Sequence, residues 1–286
     1  MNQLASGIST GGIYACVAMS LVMIYQSTNQ INFAQGEMAM FSTFLALVMI
    51  KAGMPYWVAF FGTLAVSFVM GFAIERIVLR PLHNAPVLSV VVVFVGLLVI
   101  FNSVAGWIFG YEVQDFPSPF PSTKPFGSTV ISFHELGTIA MAFAGVFVLH
   151  LFLRFTKIGL AMRAAALNPA SSRLSGIPVG LMLSMGWGIA AMFGAIAGMM
   201  IAPKVFLDPH MMSSVLLYGM AAALIGGIDN PWGAFVGGIV VGVIEVMAGA
   251  YLVGPELKLS VAVLIIVAAL IIKPSGMFGR KIVTRV

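Results

Sequence analysis

The sequence predicts an all-α, polytopic integral membrane helix bundle with eight to nine membrane segments, at least one of them a candidate discontinuous helix. Three observations carry this. Only 8% of the 286 residues are charged, against about 25% in a typical soluble domain. Hydrophobic residues make up 60%, and the mean hydropathy is +1.07. Finally, several apolar runs approach the roughly 20 residues that a helix needs to cross a bilayer core. These runs are continuous, whereas a barrel would show alternating segments of about ten residues.

Nine apolar runs read as helices: residues 4–25, 38–50, 56–73, 87–109, 136–153, 180–201, 211–228, 232–253 and 259–272. No Lys or Arg precedes the first, and it is too long for a signal-peptide core, so it reads as a retained helix. It holds Cys16, the single cysteine, which excludes an intrachain disulfide and reads as a small core residue. The second and ninth runs are short for a full span and would need tilt, local thinning or help from their flanks. Asn102, deep in the fourth, is expected to hydrogen-bond a neighbouring helix.

Basic residues orient the helices. Arg76 and Arg80 share one connection, Arg154, Lys157, Arg163 and Arg173 another, and Lys273, Arg280, Lys281 and Arg285 the tail. The positive-inside rule puts all three in the cytoplasm. The stretch 110–135 carries Glu112, Asp115 and Glu135 against only Lys124, and is expected outside. Its Pro and Ser content suits either a linker or a docking surface. Nine crossings satisfy every loop with the N-terminus outside; one half-inserted segment would make eight and could reverse that end. The whole chain reads as one transmembrane domain, 1–286, with a cytoplasmic segment 154–180 and an external loop 110–135. Orientation also accounts for the net charge of +5, and no nucleic-acid module is visible.

Small residues recur four apart at Gly7 and Gly11, Gly194 and Gly198, Gly233 and Gly237, and Gly238 and Gly242. Such spacing permits close helix packing in lipid. "GGIDNPWGAFVGG", 226–238, reads either as a tight turn capping the following helix or as a break in a membrane helix. Glu245, near the middle of the eighth run, costs roughly 3 kcal/mol to insert as an ion. It is either a pathway or gating carboxylate or a neutralised or paired group linking helices. His83, His134 and His210 sit in three connections without metal-ligand spacing, and His150 reads as interfacial.

The cytoplasmic stretch "RFTKIGLAMRAAALNPASSRLSGIPVG" predicts a basic helix over 158–167, an interruption at Asn168 and Pro169, and a short turn before Gly176. It suits a groove on a partner or lipid headgroups equally well. "QSTNQINFAQGE", 26–37, places amides and hydroxyls between two apolar runs. Irregular backbone at membrane depth survives only when buried or facing a water-filled cavity. One reading has Asn29, Asn32, Gln35 and Glu37 lining a translocation path near its cytoplasmic side; the other is a solvated loop capping the second helix.

Taken together, these stretches resemble the membrane permease subunits of branched-chain amino acid ABC importers, over nearly the whole chain. The resemblance rests on "GGIYACVAMSLVMIYQSTNQINFAQGEM", "IERIVLRPL", "TKIGLAMRAAALNPASSRLSGI", "LIGGIDNPWGAFVGGIVVGVIE" and "IIKPSGMFG", in that order. Gln35 replaces the family's usual His, Leu167 and Asn168 stand where acidic residues are common, and Phe101 replaces a common Gln. The resemblance implies a non-enzymatic subunit of an importer for branched-chain amino acids or a related small polar solute, in the cell inner membrane with its C-terminus cytoplasmic. No nucleotide-binding Gly-x-x-x-x-Gly-Lys-Ser/Thr loop is present, so hydrolysis is expected on separate cytoplasmic ATPase subunits. A second permease, identical or homologous, an extracytoplasmic substrate-binding protein and membrane lipid are the other implied partners, with no cofactor or metal. Asn29, Asn32, Gln35, Glu37, Asn102 and Glu245 are the expected pathway residues, and Lys157, Gly159, Arg163, Ala164, Asn168 and Gly176 the expected ATPase-coupling residues. The competing reading is a self-sufficient transporter driven by protons through Glu245.

Overall fold

A computed structural model describes residues 2–82, 85–121, 132–254, 257–273 and 275–279. Eleven α-helices are found there: α1 (Asn2–Thr28), α2 (Gln35–Lys51), α3 (Tyr56–Ile74), α4 (Val87–Phe109), α5 (Phe133–Phe155), α6 (Lys157–Leu167), α7 (Pro169–Leu174), α8 (Val179–Val205), α9 (Met212–Gly226), α10 (Pro231–Tyr251) and α11 (Lys258–Ile272). A π-helical turn, Glu75–Leu79, and a 3-10 turn, Arg80–Leu82, extend α3. Seven of the nine apolar runs lie wholly within a helix, and α9 and α10 each end two residues before the run they form.

Six stretches are long and apolar enough to cross a membrane: Gln3–Thr28, Tyr56–Leu82, Val87–Phe109, Phe133–Phe155, Val179–Val205 and Pro231–Tyr251. That is fewer than the eight to nine expected. The apolar helices α9 and α11 have 15 residues each, and α2 has 17. At 1.5 Å per residue each falls short of a bilayer core of about 30 Å.

Helix ends differ from the hydropathy edges where polar groups find local partners. The Ser27 and Thr28 hydroxyls donate to the carbonyls of Met23 and Ile24 at 2.9 and 3.0 Å, so α1 absorbs them. Ser132 and Glu135 form a reciprocal cap, Glu135 N donating to Ser132 Oγ at 3.2 Å and Ser132 N to Glu135 Oε2 at 2.9 Å. That capping box starts α5 at Phe133 and takes Glu135 into its first turn.

The chain divides into two compact units. One comprises Met1–Val22, Phe120–Val146 and Ser214–Val286, the other Met23–Pro119 and Phe147–Ser213.

In the first unit, α1 meets α10 through the predicted small residues. A methyl group added to Gly11 would lie 2.7 Å from Ile239 Cα, and one on Gly242 2.3 Å from Gly11 Cα. Gly233 and Gly237 face α9 in the same way, through Gly226 and Ala222. This antiparallel contact identifies residues 227–230 as a tight turn. Asn230 Oδ1 accepts from Trp232 N at 3.0 Å, and Pro231 occupies the first helical position, where its missing N–H costs nothing. The orphan carbonyls of Ile225 and Gly226 accept from Met277 and Phe278 N at 2.7 and 3.0 Å, so residues 277 and 278 cap α9.

In the second unit α8 is central, with α2, α3 and α6 packed on it. Gly71 of α3 sits where a methyl would be 2.5 Å from the Trp187 carbonyl oxygen, and Trp187 is fully buried with its ring 6.0 Å from that of Phe94. By contrast α4 exposes valines and leucines over most of its surface, as a lipid-facing helix does. The connection after α4 is not a free linker along its described part. Gln114 exchanges backbone hydrogen bonds with Leu207 at 2.9 Å, its side chain accepts from Lys51 Nζ at 2.8 Å, and Phe116 is buried. Lys124, His83, Arg280, Lys281 and Arg285 lie outside the described residues.

Candidate functional site

The polar stretch that follows α1 resolves into a break and a helix start. Asn29 takes a left-handed backbone (φ 55°), a conformation that Asn tolerates, and ends α1. Asn32 Oδ1 accepts from Ala34 N at 2.9 Å, closing the turn that launches α2. Gln35 and Glu37 are therefore helical, and the irregular backbone shrinks to residues 29–34. Asn32, Gln35 and Glu37 are 0%, 1% and 6% exposed, so the solvated-loop reading fails for these three.

Their position along α8 follows from two contacts. Gln35 Nε2 donates to the Ala190 carbonyl at 3.1 Å, and a methyl on Gly194 would meet that same nitrogen at 2.6 Å. Ala190 and Gly194 lie roughly 20 Å along α8 from Val179 at 1.5 Å per residue. Gln35 thus stands beside the middle of α8, past the arginine-lined start of that helix. From there α2 runs beside α8, with Gly198 under Ala39 and Thr43. Asn29 stays behind at that end, exposed, lining a pocket of about 190 Å³ with Ser27, Pro169 and Arg173.

Asn102 joins three elements. Its amide donates to Glu37 Oε2 at 3.2 Å and to the Pro209 carbonyl at 2.8 Å, and lies 3.4 Å from His210 Nδ1. The α8–α9 connection is shaped by Phe206 at φ 64° and by Asp208, whose Oδ1 accepts from His210 N at 2.6 Å. One amide therefore ties the starts of α2 and α9 to α4, as expected of Asn102. Gln35 Oε1 is buried with no hydrogen-bond partner, which leaves an acceptor open to any donor that reaches it.

Glu245 belongs to the other unit and is a paired group. Its Oε1 lies 3.2 Å from Lys258 Nζ, and Oε2 accepts a long 3.5 Å hydrogen bond from Tyr14, whose ring stacks on Tyr218 at 4.8 Å. The Lys258 stem crosses Gly249, where a methyl would meet Cε at 2.4 Å. The sequence reading missed Lys258 and Tyr14. Its available signal was a lone cation opening the last helix, with a glycine one turn beyond Glu245 to let it pass. Removing the cation by Lys258→Met strands a carboxylate that is 7% exposed. The expected cost is about 2 to 3 kcal/mol, reduced from full burial because the Lys258 side chain is 36% exposed. A double-mutant cycle with Glu245→Gln, read by thermal unfolding, should recover much of the loss; strictly additive effects would contradict the pairing.

The sequence reading also passed over Glu75, fully buried in the π-helical turn and accepting from Ser184 Oγ of α8. Its signal was the "IERIVLRPL" stretch, where a lone acid at the end of an apolar run precedes the two arginines.

The predicted coupling residues form a two-helix elbow in the second unit. Thr156 caps α6, its Oγ1 accepting from Gly159 N at 2.9 Å, and Gly159 packs so closely on α5 that a methyl would meet the Phe152 carbonyl oxygen at 2.3 Å. Gly159 is thus a turn requirement. Asn168 ends α6 and caps α7, its Oδ1 accepting from Ser171 N at 3.0 Å. Lys157, Arg163, Asn168 and Gly176 are exposed and Ala164 half-buried, while Met162 and Ala165 turn inward. Gly176 takes φ 78°, a value that favours glycine.

A family model described as "Branched-chain amino acid transport system / permease component" matches residues 3–270. The high-affinity branched-chain amino acid transport system permease protein LivH of Salmonella typhimurium is 26% identical over 302 residues, covering 100% of this chain and 97% of that protein. The corresponding BraD of Pseudomonas aeruginosa is 27% identical over 301 residues, covering 100% and 98%. Among solved structures, PsaBC from Streptococcus pneumoniae in complex with Fab is similar in fold, with a TM-score of 0.51, 12% identity and 97% and 92% coverage.

Proposed function

Because the chain belongs to the family of permease components of branched-chain amino acid transport systems, we propose that it forms the membrane conduit for a branched-chain amino acid or a related small polar solute. It works by alternating access as one permease subunit of an ATP-driven importer. Cytoplasmic ATPase subunits, a second permease, identical or homologous, and an extracytoplasmic substrate-binding protein complete the assembly. The subunit is a single multi-pass domain of the cell inner membrane. Segment 154–180 and the C-terminus are cytoplasmic, loop 110–135 is external, and α2, α9 and α11 join the six longer spans to give nine segments, or eight where one of the three inserts only halfway.

The observation that carries this reading is the buried polar start of α2 at mid-depth of α8. Asn32, Gln35 and Glu37, with Asn102, form the lining of the path, and Asn29 its cytoplasmic mouth. The acceptor left open on Gln35 Oε1 suits a solute donor such as an ammonium group. In this reading the burial belongs to a closed conformation, and the path opens by rearrangement. Glu245 acts as a gating latch through its pair with Lys258. The exposed Arg163 and the leucines beside it, Leu160, Leu167 and Leu174, supply the charged and apolar contacts of an ATPase interface.

The proton-driven alternative finds no support, since the family is a component of a larger transport system and Glu245 is ion-paired. The test is reconstitution. Vesicles holding this chain alone should show no uphill uptake. Vesicles that also hold the ATPases, the second permease and the binding protein should accumulate solute with ATP. Proton-driven accumulation by the isolated chain would overturn the proposal.

A further inference from the structure

We propose that the arginine-lined pocket where α3 ends and α8 begins is a binding site for the phosphate headgroup of an anionic phospholipid. The pocket encloses about 580 Å³ and is lined by Arg76, Arg80 and Arg173 together with residues 176–181. None of its described lining residues is acidic. Arg80 is held in place by a backbone notch: a methyl on Gly180 would lie 2.6 Å from Nη2 and 2.9 Å from Cζ. The guanidinium therefore rests on the first turn of α8.

That position is electrostatically unfavourable for a cation. The N-terminus of a helix carries a partial positive charge, α8 has 27 residues, and Pro178 provides no side-chain cap. Three guanidiniums and a helix N-terminus line the pocket against one neighbouring carboxylate, that of Glu75, which accepts from Ser184 Oγ one turn into α8, so an excess of positive charge remains for an anion to relieve. Guanidiniums pair with phosphate oxygens through parallel N–H donors.

Location selects a lipid as the source of the phosphate. The pocket lies where the span Tyr56–Leu82 ends and the span Val179–Val205 begins, which is headgroup level. Beside it Ile77 is 72% and Leu181 39% exposed, giving acyl chains an apolar surface just below the charges. Basic pockets between membrane helices on the cytoplasmic side are a recurrent headgroup site. Arg173 belongs to α7, so an occupied pocket would link the elbow α6–α7 to α3 and α8.

The test uses the purified full-length chain in detergent, with bound lipid read by native mass spectrometry and unfolding by a thermal melt. Phosphatidylglycerol should be retained in preference to phosphatidylcholine and should raise the unfolding midpoint. Each of Arg76→Gln, Arg80→Gln and Arg173→Gln should weaken retention about fivefold, and the three together roughly a hundredfold. Arg154→Gln and Lys157→Gln, basic positions outside the pocket, should change it less than twofold. Arg173→Gln, on an exposed short helix, keeps the test valid if the triple variant fails to fold. Four results would overturn the proposal. One is equal retention by the arginine variants and the wild type, and another is equal loss in the control variants. The third is full replacement of the lipid effect by inorganic phosphate, which would assign the pocket to a soluble anion. Absence of any phosphatidylglycerol preference, with ATPase binding lost in the arginine variants, would likewise reassign it to an acidic protein surface.

Discussion

Gly11→Leu is expected to abolish the folded protein. At Gly11 even the first added carbon lies 2.7 Å from Ile239 Cα and 2.8 Å from the Gly238 carbonyl oxygen. These are backbone atoms, so no rotamer change makes room and α1 must separate from α10. In lipid, close packing is a main source of helix association. Overpacking typically costs 1 to 3 kcal/mol. Here the clash is with backbone and the whole seam from Gly7 to Gly242 opens, so a loss of about 4 kcal/mol or more is expected. That is a large share of the roughly 5 to 15 kcal/mol by which native proteins are stable. Size-exclusion profile and thermal unfolding in detergent read the outcome. Gly96→Leu is the matched control, since nothing lies within 4 Å of a methyl placed there on α4. A folded Gly11→Leu protein with a midpoint near that of Gly96→Leu would contradict the seam.

Arg163→Glu is expected to separate ATP hydrolysis from uptake. Arg163 is exposed on α6, whose packing on α8 uses Met162 and Ala165, and the Thr156 and Asn168 caps do not involve it. Stability should change by no more than about 0.5 kcal/mol, as for other surface substitutions. At an interface, breaking a charge pair costs about 2 to 5 kcal/mol. ATP-dependent uptake in the reconstituted importer should therefore fall at least tenfold, about 1.4 kcal/mol, while membrane insertion and the unfolding midpoint stay unchanged. Uptake and hydrolysis that remain coupled at the wild-type ratio would remove α6 from the energy path.

Much of the architecture is legible in the residues alone. Each of the nine apolar runs forms a helix, with two ends off by two residues, because lipid solvation rewards local hydropathy and each run carries that signal by itself. The elbow is equally local: Thr156, Asn168 and Pro169 set its caps through atoms two or three residues away. The small-residue spacing at Gly7 and Gly11 marked a packing face, although its partner on α10 could not be read from it. Length was legible and placement was not. The segment 38–50 reads as short for a full span, and α2 starts beside the middle of α8, a fact that no count of its own residues contains.

The site residues divide in the same way. Asn102 in an apolar helix announced a hydrogen bond, because an unpaired amide in hydrocarbon is costly. Which groups it reaches, Glu37 and the Pro209 carbonyl, depends on 65 and 107 residues of intervening chain. Gln35 finds Ala190 across 155 residues, and Tyr14 finds Glu245 across 231. Sequence alone decided the solvent, the helical class and the caps, since those follow from hydropathy and hydrogen bonds within one or two turns. Tertiary structure alone decided that Glu245 is paired with Lys258, that Gln35 is buried beside the middle of α8, and that Arg173 shares a pocket with the distant pair Arg76 and Arg80. Pairing of that kind is settled by how whole helices pack against one another, and no local stretch of residues encodes it.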